Sequence, residues 1–343
     1  MKQIIVRRPG GTARLHLETV PDPTPKSNEV CVEVRAVGVN FADLVVRMGL
    51  YESAKKYVGW PIVPGFEIAG TVTAVGAEVG TFRPGDQVLG VTRFGGYVSR
   101  ICLPEAQVQA MPAGLTHAQA ATFPVAFLTA WYALHELCHL RKGHVVLVHS
   151  AAGGVGGALV QLAKRAECRV IAVVGASHKV DAVKALGASV VIDKSKEELW
   201  SAVERAAPAG CHVVLDANGS ETLRKGYDHL CPTGRVIVYG FHSLMRRGSE
   251  RLPLLQAALG WLRVPRFNPF NMVDRNVGVL AFNLSYLFDE IAMFGEAMGE
   301  LGGALARGEI RCPEVTEVPF DDPARAHTLL HSGQTVGKVA LVL

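Results

Sequence analysis

Short apolar runs broken by glycine and proline fill the first third of the chain. Val30, Val32 and Val34 alternate with Cys31, Glu33 and Arg35 across 29–37, and runs at 68–75 and 86–91 lie between turn residues in the same way. Period-two alternation sends successive side chains to opposite faces of a strand, and strands this short between Gly/Pro turns predict a small, strongly curved antiparallel sheet or barrel. After Pro124 the pattern changes. Strand-like runs at 145–148, 169–174, 190–193, 213–216 and 235–240 alternate with helical stretches, such as the one through Leu159, Val160, Leu162 and Ala163. That rhythm predicts a doubly wound parallel sheet. The run 337–343 reads as a strand again, returning to the first lobe. The expected architecture is therefore α/β, with a β-rich domain of 1–118 and 300–343 interrupted by a nucleotide-binding domain of 119–299.

The most informative chemistry lies where the first parallel strand ends. Ala151, Ala152, Gly153, Gly154, Val155 and Gly156 join that strand to the helical stretch. Their short side chains allow a tight turn and a close approach of backbone to a pyrophosphate, whose charge the N–H groups opening the helix would meet. A loop that merely packs a helix on a sheet needs the same glycines, but here strand, helix and second strand all stand in the order a dinucleotide site requires. An NAD site usually carries Asp or Glu about twenty residues beyond the glycines. This chain has Gly175-Ala176-Ser177-His178-Lys179 there, without a carboxylate. Ser177 and Lys179, with Lys194 after the next strand, offer a hydroxyl and two cations to a 2′-phosphate, so NADP(H) is the expected cofactor.

Composition narrows the function class. The 343 residues carry a net charge of only +4 and no polybasic tract, which gives nucleic-acid binding no support. No apolar run approaches the ~18 residues needed to span a bilayer, and the first residues lack a signal-peptide pattern, so a cytoplasmic location is expected. Seven cysteines, at 31, 102, 138, 168, 211, 231 and 312, are odd in number and scattered, which predicts reduced thiols. Residues 243–276 interleave Arg246, Arg247, Arg251, Arg263, Arg266 and Arg275 with leucines and aromatics. Such a segment suits peripheral membrane contact or a helix packed on the nucleotide domain; the second is preferred because apolar stripes usually face a core. The apolar run 277–282 predicts an edge strand that pairs with a symmetry mate in a homodimer.

Several motifs carry a family resemblance. Pro64-Gly65-Phe66-Glu67-Ile68-Ala69-Gly70, Arg83-Pro84-Gly85-Asp86-Gln87-Val88, the glycine-rich turn and Gly337-Lys338-Val339 resemble the medium-chain dehydrogenase/reductase superfamily, and within it the quinone oxidoreductases. Gly38-Val39-Asn40-Phe41-Ala42-Asp43-Leu44, Met48-Gly49-Leu50-Tyr51 and Phe282-Asn283-Leu284-Ser285-Tyr286-Leu287 are similar to its vesicle amine transport protein-like branch. The resemblance implies a GroES-like catalytic domain, a Rossmann domain, a site in the cleft between them and a dimer. Where the zinc enzymes of that superfamily place Cys, His and Cys, this chain has Asn40, Phe66 and Val125, and the four-cysteine structural loop is missing, so no zinc is expected. Without a Lewis acid, alcohol oxidation loses its electrostatic support, while reduction of a quinone or of an enone at its β-carbon remains open. Asn40, offering an amide to a substrate carbonyl or a ribose hydroxyl, and Tyr51, offering a phenol, are the catalytic candidates; Asp43 reads as structural. By resemblance, Thr129, Tyr239, Gly240, Phe282, Asn283 and Lys338 join the cofactor contacts. The competing reading is an NADPH-binding interaction protein, membrane-associated or regulatory, with little turnover.

Overall fold

The computed structural model describes residues 1–242 and 264–343, which form two compact units: 1–128 with 285–343, and 129–284. The first unit begins with β1 (Lys2–Val6), β2 (Leu15–Thr19), β3 (Glu29–Val39), α1 (Phe41–Arg47), α2 (Glu52–Tyr57), β4 (Glu67–Val75), β5 (Gln87–Val91), β6 (Arg100–Pro104) and β7 (Val108–Ala110). It closes the segment with α3 (His117–Thr122) and α4 (Pro124–Trp131), the latter crossing into the second unit. In the second unit follow β8 (Val145–Val148), α5 (Gly154–Arg165), β9 (Arg169–Val174), β10 (Val190–Asp193), β11 (Cys211–Asp216), β12 (Leu230–Val238) and β13 (Gly278–Ala281). The chain then returns to the first unit with β14 (Val315–Pro319) and β15 (Lys338–Val342).

The first unit is built on a curved sheet of order β14-β15-β3-β4-β5-β7, with β6 also pairing β3. The sequence alternation is realised on β3, where Val30, Val32 and Val34 are buried in one core with Ile68, Val72, Val88, Val339 and Leu341. Glu33 and Arg35 point away and pair with each other at 2.7 Å. β15 enters between β14 and β3, so the late strand does rejoin the first lobe. The unit also keeps α3 and the start of α4, beyond the boundary expected at 118, because buried Ala118, Ala120 and Ala121 let α3 lie directly on β3 and β4. The approach is close enough that a Cβ on Gly38 would stand 2.2 Å from the Ala121 carbonyl oxygen. At the other boundary, Ser285 donates to Ser53 at 2.7 Å in a buried contact that ties 285 to α2.

One expectation fails in this unit. Cys31 and Cys102 stand opposite each other on β3 and β6 and are joined by a disulfide, rather than both being free thiols. Their 71-residue separation is bridged by strand pairing alone, so no cysteine spacing announces it. The remaining five are thiols, four of them buried.

The second unit is a six-stranded parallel sheet of order β10-β9-β8-β11-β12-β13. Val146, Leu147 and Val148 of the central β8 are fully buried, as strands covered on both faces require. Of the arginine-rich segment, 243–263 lies outside the described residues. Its remainder holds the helix Pro269–Arg275, which exposes Phe270 and Val273 while the Arg275 guanidinium sits 4.6 Å from the Tyr227 ring. Among the described residues, no helix is long and apolar enough to cross a membrane.

Candidate functional site

In the second unit the glycine-rich turn leaves β8 through Ser150, whose φ of 54° reverses the chain. Ala151 N–H then bonds the Val173 carbonyl on β9 at 3.0 Å, and Gly153 becomes the N-cap of α5 with no side chain capping the helix. The N–H groups of the first turn are thus left to an external acceptor, at the positive end of the helix dipole. Gly156 fixes how closely helix and turn approach: a Cβ there would stand 2.3 Å from Ser150 O and 2.7 Å from Ala151 Cα. A second loop is fastened beside the turn by Asp216 at the end of β11. Its carboxylate accepts from Asn218 N–H, Gly219 N–H and the Thr222 hydroxyl at 2.7, 2.8 and 2.6 Å. Ser150 Oγ meets Asn218 Oδ1 at 3.1 Å.

The parallel sheet gathers most of the expected cofactor contacts at the carboxyl ends of its strands. Ala152, Gly153, Gly154, Val155 and Gly156 follow β8, Ser177 and Lys179 follow β9, and Lys194 follows β10. Tyr239 and Gly240 follow β12, and Phe282 and Asn283 follow β13. The Phe282 ring packs between Tyr132 and Tyr239, at 4.9 and 6.4 Å between centroids. Thr129 is buried on α4.

The region after β9 differs from expectation. Ser177 donates its hydroxyl to Asp193 Oδ2 at 2.6 Å, so that proton is committed and not open to a phosphate. Asp193 Oδ1 accepts from Ser195 N–H and Oγ at 2.9 and 2.6 Å. The Ser177 hydrogen bond, then those from Ser195, hold the Asp193 carboxyl below its usual range despite burial. A carboxylate is therefore present at this strand end, supplied by the neighbouring strand.

In the first unit, Asn40 terminates β3 and opens α1. Its backbone N–H bonds Asp43 Oδ2 at 2.8 Å, and Asp43 Oδ1 takes Gly65 N–H at 2.8 Å. The Asn40 side chain is held by a buried ion pair. Lys338 Nζ donates to Glu67 Oε1 at 2.8 Å, to Asn40 Oδ1 at 2.5 Å and to Val39 O at 3.0 Å. Asn40 Nδ2 donates to Glu67 Oε1 at 2.9 Å, and Glu67 Oε2 takes Val125 N–H at 2.7 Å. Two corrections follow. Lys338, expected among the cofactor contacts, spends all three donors inside this unit. Asn40 keeps a single amide hydrogen without a firm bond, because its oxygen is occupied by Lys338, its other hydrogen by Glu67, and its remaining contact, to Gly38 O at 3.5 Å, is long.

Tyr51 precedes α2, and its ring packs edge-on against Phe66 and Phe94 at 5.9 and 6.3 Å. Phe66 and Val125, at two of the positions where zinc enzymes of the resembled superfamily carry ligands, here contribute an apolar wall. Among the described residues no cluster of three or more His, Cys, Asp or Glu side chains could hold a metal ion.

Sequence reading missed the partners of these groups. Glu67 carries no assigned role in its motif, and its one signal in the sequence is Lys338, the cation that neutralises it. Tyr97 OH and His327 Nε2 form a second buried pair at 3.0 Å, with burial and then Arg47 pushing the His327 imidazole down to about 3. Burial pushes Asp43 up to about 7; the Asn40 and Gly65 N–H bonds and Lys338 oppose the rise, and Glu67 adds to it. The folded protein thus holds this proton more tightly than the unfolded chain does. Its contribution to stability is fully present below the unfolded value of 3.8 and is lost as pH rises through about 7. Between pH 5 and 8, the Tm of the wild type should fall relative to that of Asp43→Asn; a difference that stays flat across this range would contradict the burial argument.

Comparison with known proteins is consistent with this geometry. The alcohol dehydrogenase GroES-like domain matches residues 26–129, and the zinc-binding dehydrogenase family matches residues 154–272. The mouse synaptic vesicle membrane protein VAT-1 homolog is 33% identical over 97% of this chain and 81% of its own length. Escherichia coli quinone oxidoreductase, solved in complex with NADPH, is 28% identical with a TM-score of 0.86 over 100% of both chains. The CurK enoyl reductase is 27% identical with a TM-score of 0.84, covering 99% of this chain and 98% of its own.

Proposed function

The chain belongs to the medium-chain dehydrogenase/reductase superfamily of oxidoreductases, and from that premise we propose that it reduces quinones or α,β-unsaturated carbonyls with NADPH and without zinc. The observation that carries the reading is the glycine turn, where Gly156 lets α5 lie directly against the turn and the start of α5 carries no side-chain cap, an arrangement that suits a pyrophosphate. NADPH, when bound, supplies a hydride. Asn40 directs its remaining amide hydrogen to the acceptor oxygen, preorganised because Lys338 and Glu67 fix the other polar atoms of the side chain. Tyr51 or a water delivers the proton that completes reduction. Asn40, Phe66 and Val125 in place of metal ligands favour an acceptor already activated by conjugation.

A panel of quinones and enones tests this: NADPH oxidation should accompany product formation, survive chelation and proceed in protein holding no stoichiometric zinc. Asn40→Ala should lower kcat/KM by up to about 100-fold, the worth of one preorganised donor, while leaving NADPH affinity unchanged. Tight NADPH binding without turnover of any acceptor would favour the second reading, an interaction protein, which the vesicle-membrane name of the mouse relative supports.

We further propose a homodimer formed through β13, the last strand of its sheet, whose outer edge has no partner among the described residues. Light scattering at micromolar concentration should give twice the chain mass, and a monomeric mass would refute it.

A further inference from the structure

We infer that Asp193 sets how strongly this protein separates NADPH from NADH, as the negative charge beside which a 2′-phosphate must be seated. The inference rests on the nucleotide reading above. In sheets of this topology the ribose of the adenosine half lies at the carboxyl end of the second strand, and an acidic residue following that strand takes the 2′-hydroxyl and repels a 2′-phosphate. Here the second strand, β9, ends at Val174 and leads into Gly175, Ala176 and Ser177. The carboxylate comes instead from β10, where Asp193 is the register partner of Val174, and Ser177 Oγ lies 2.6 Å from its Oδ2.

Three donors, one from Ser177 and two from Ser195, keep Asp193 ionised, and Lys196 adds a smaller electrostatic effect in the same direction. The residue is only 9% exposed, so water and salt screen its charge less than that of an open surface carboxylate. Lys179 and Lys194 stand on the same two strand ends. A phosphate placed among them is attracted by both cations and repelled by Asp193, whereas NADH brings no charge there and finds both Asp193 oxygens already taken by Ser177 and Ser195. Ser177 is a positioning residue in this account, its proton turned inward to Asp193.

Calorimetry of the full chain with NADPH and with NADH tests the inference. Asp193→Asn keeps the shape and the Ser195 bonds, and its amide NH2 can face Ser177, whose hydroxyl then accepts. NADPH should bind about five- to tenfold tighter to this variant, with NADH changed by less than about twofold. The gain should shrink as salt is raised. Ser177→Ala, which strips a donor from Asp193 but leaves the charge, should weaken NADPH about threefold and leave NADH unaffected. Unaltered NADPH affinity in Asp193→Asn, or equal changes for both nucleotides in either variant, would overturn the inference while leaving the nucleotide reading intact. A wild-type chain that binds neither nucleotide would overturn both.

Discussion

Lys338→Met is expected to destabilise the first unit by about 3–5 kcal/mol, because it leaves the Glu67 carboxylate buried without its cation. Glu67 is fully buried and Lys338 is 5% exposed, so neither charge can turn to water. The variant also removes the donor that holds Asn40 Oδ1, so acceptor turnover should fall together with Tm. The double variant Lys338→Met/Glu67→Gln removes the stranded charge and should recover a large part of the stability without restoring turnover. Thermal denaturation of the two single variants and the double one decides the matter: if the double variant is no more stable than Lys338→Met alone, the ion pair is not what the site depends on.

Gly156→Ala should raise the dissociation constant for NADPH by roughly 100-fold, since overpacking of this kind costs up to about 3 kcal/mol and each 1.4 kcal/mol is tenfold in affinity. The clash is with backbone, Ser150 O at 2.3 Å and Ala151 Cα at 2.7 Å, so no rotamer change relieves it, and α5 must move off the turn. Gly153 provides the contrast. A Cβ there meets only Ser150 O at 3.4 Å, an ordinary contact, so Gly153→Ala should leave Tm near the wild-type value and reveal any effect on nucleotide binding by itself. Equal loss of stability in the two variants would refute the steric account.

Features whose causes are local could be read from the sequence. The strands of the parallel sheet, and β3, β4, β5 and β15 of the curved one, follow from period-two alternation or continuous apolar runs, whereas the short β6, β7 and β14 carry no such pattern; the glycine turn follows from the order strand, small residues, helix. What escaped was contributed across the fold. Asp193 reaches Ser177 because β10 lies beside β9, whereas position along the chain points only to the end of β9 itself for a carboxylate. Lys338 reaches Glu67 across 271 positions, and Cys31 meets Cys102 across 71, distances over which periodicity carries no information. Asn40 was found as a residue but not as an environment. Its amide looked available until β15 placed an ammonium on its oxygen.

The insertion of β15 between β14 and β3 also imposes an order on biosynthesis. Every residue of the second unit is contiguous and leaves the ribosome before β15 does, so that sheet can close while the first unit still lacks an interior strand. Until β15 arrives, β3 presents an open edge at 36–39, and Glu67 waits without the cation that makes its burial tolerable. The nascent first unit is therefore the part of this protein most in need of a holding chaperone, and ribosome-stalled chains ending before 338 should remain sensitive to protease within 1–128 while 129–242 is already resistant.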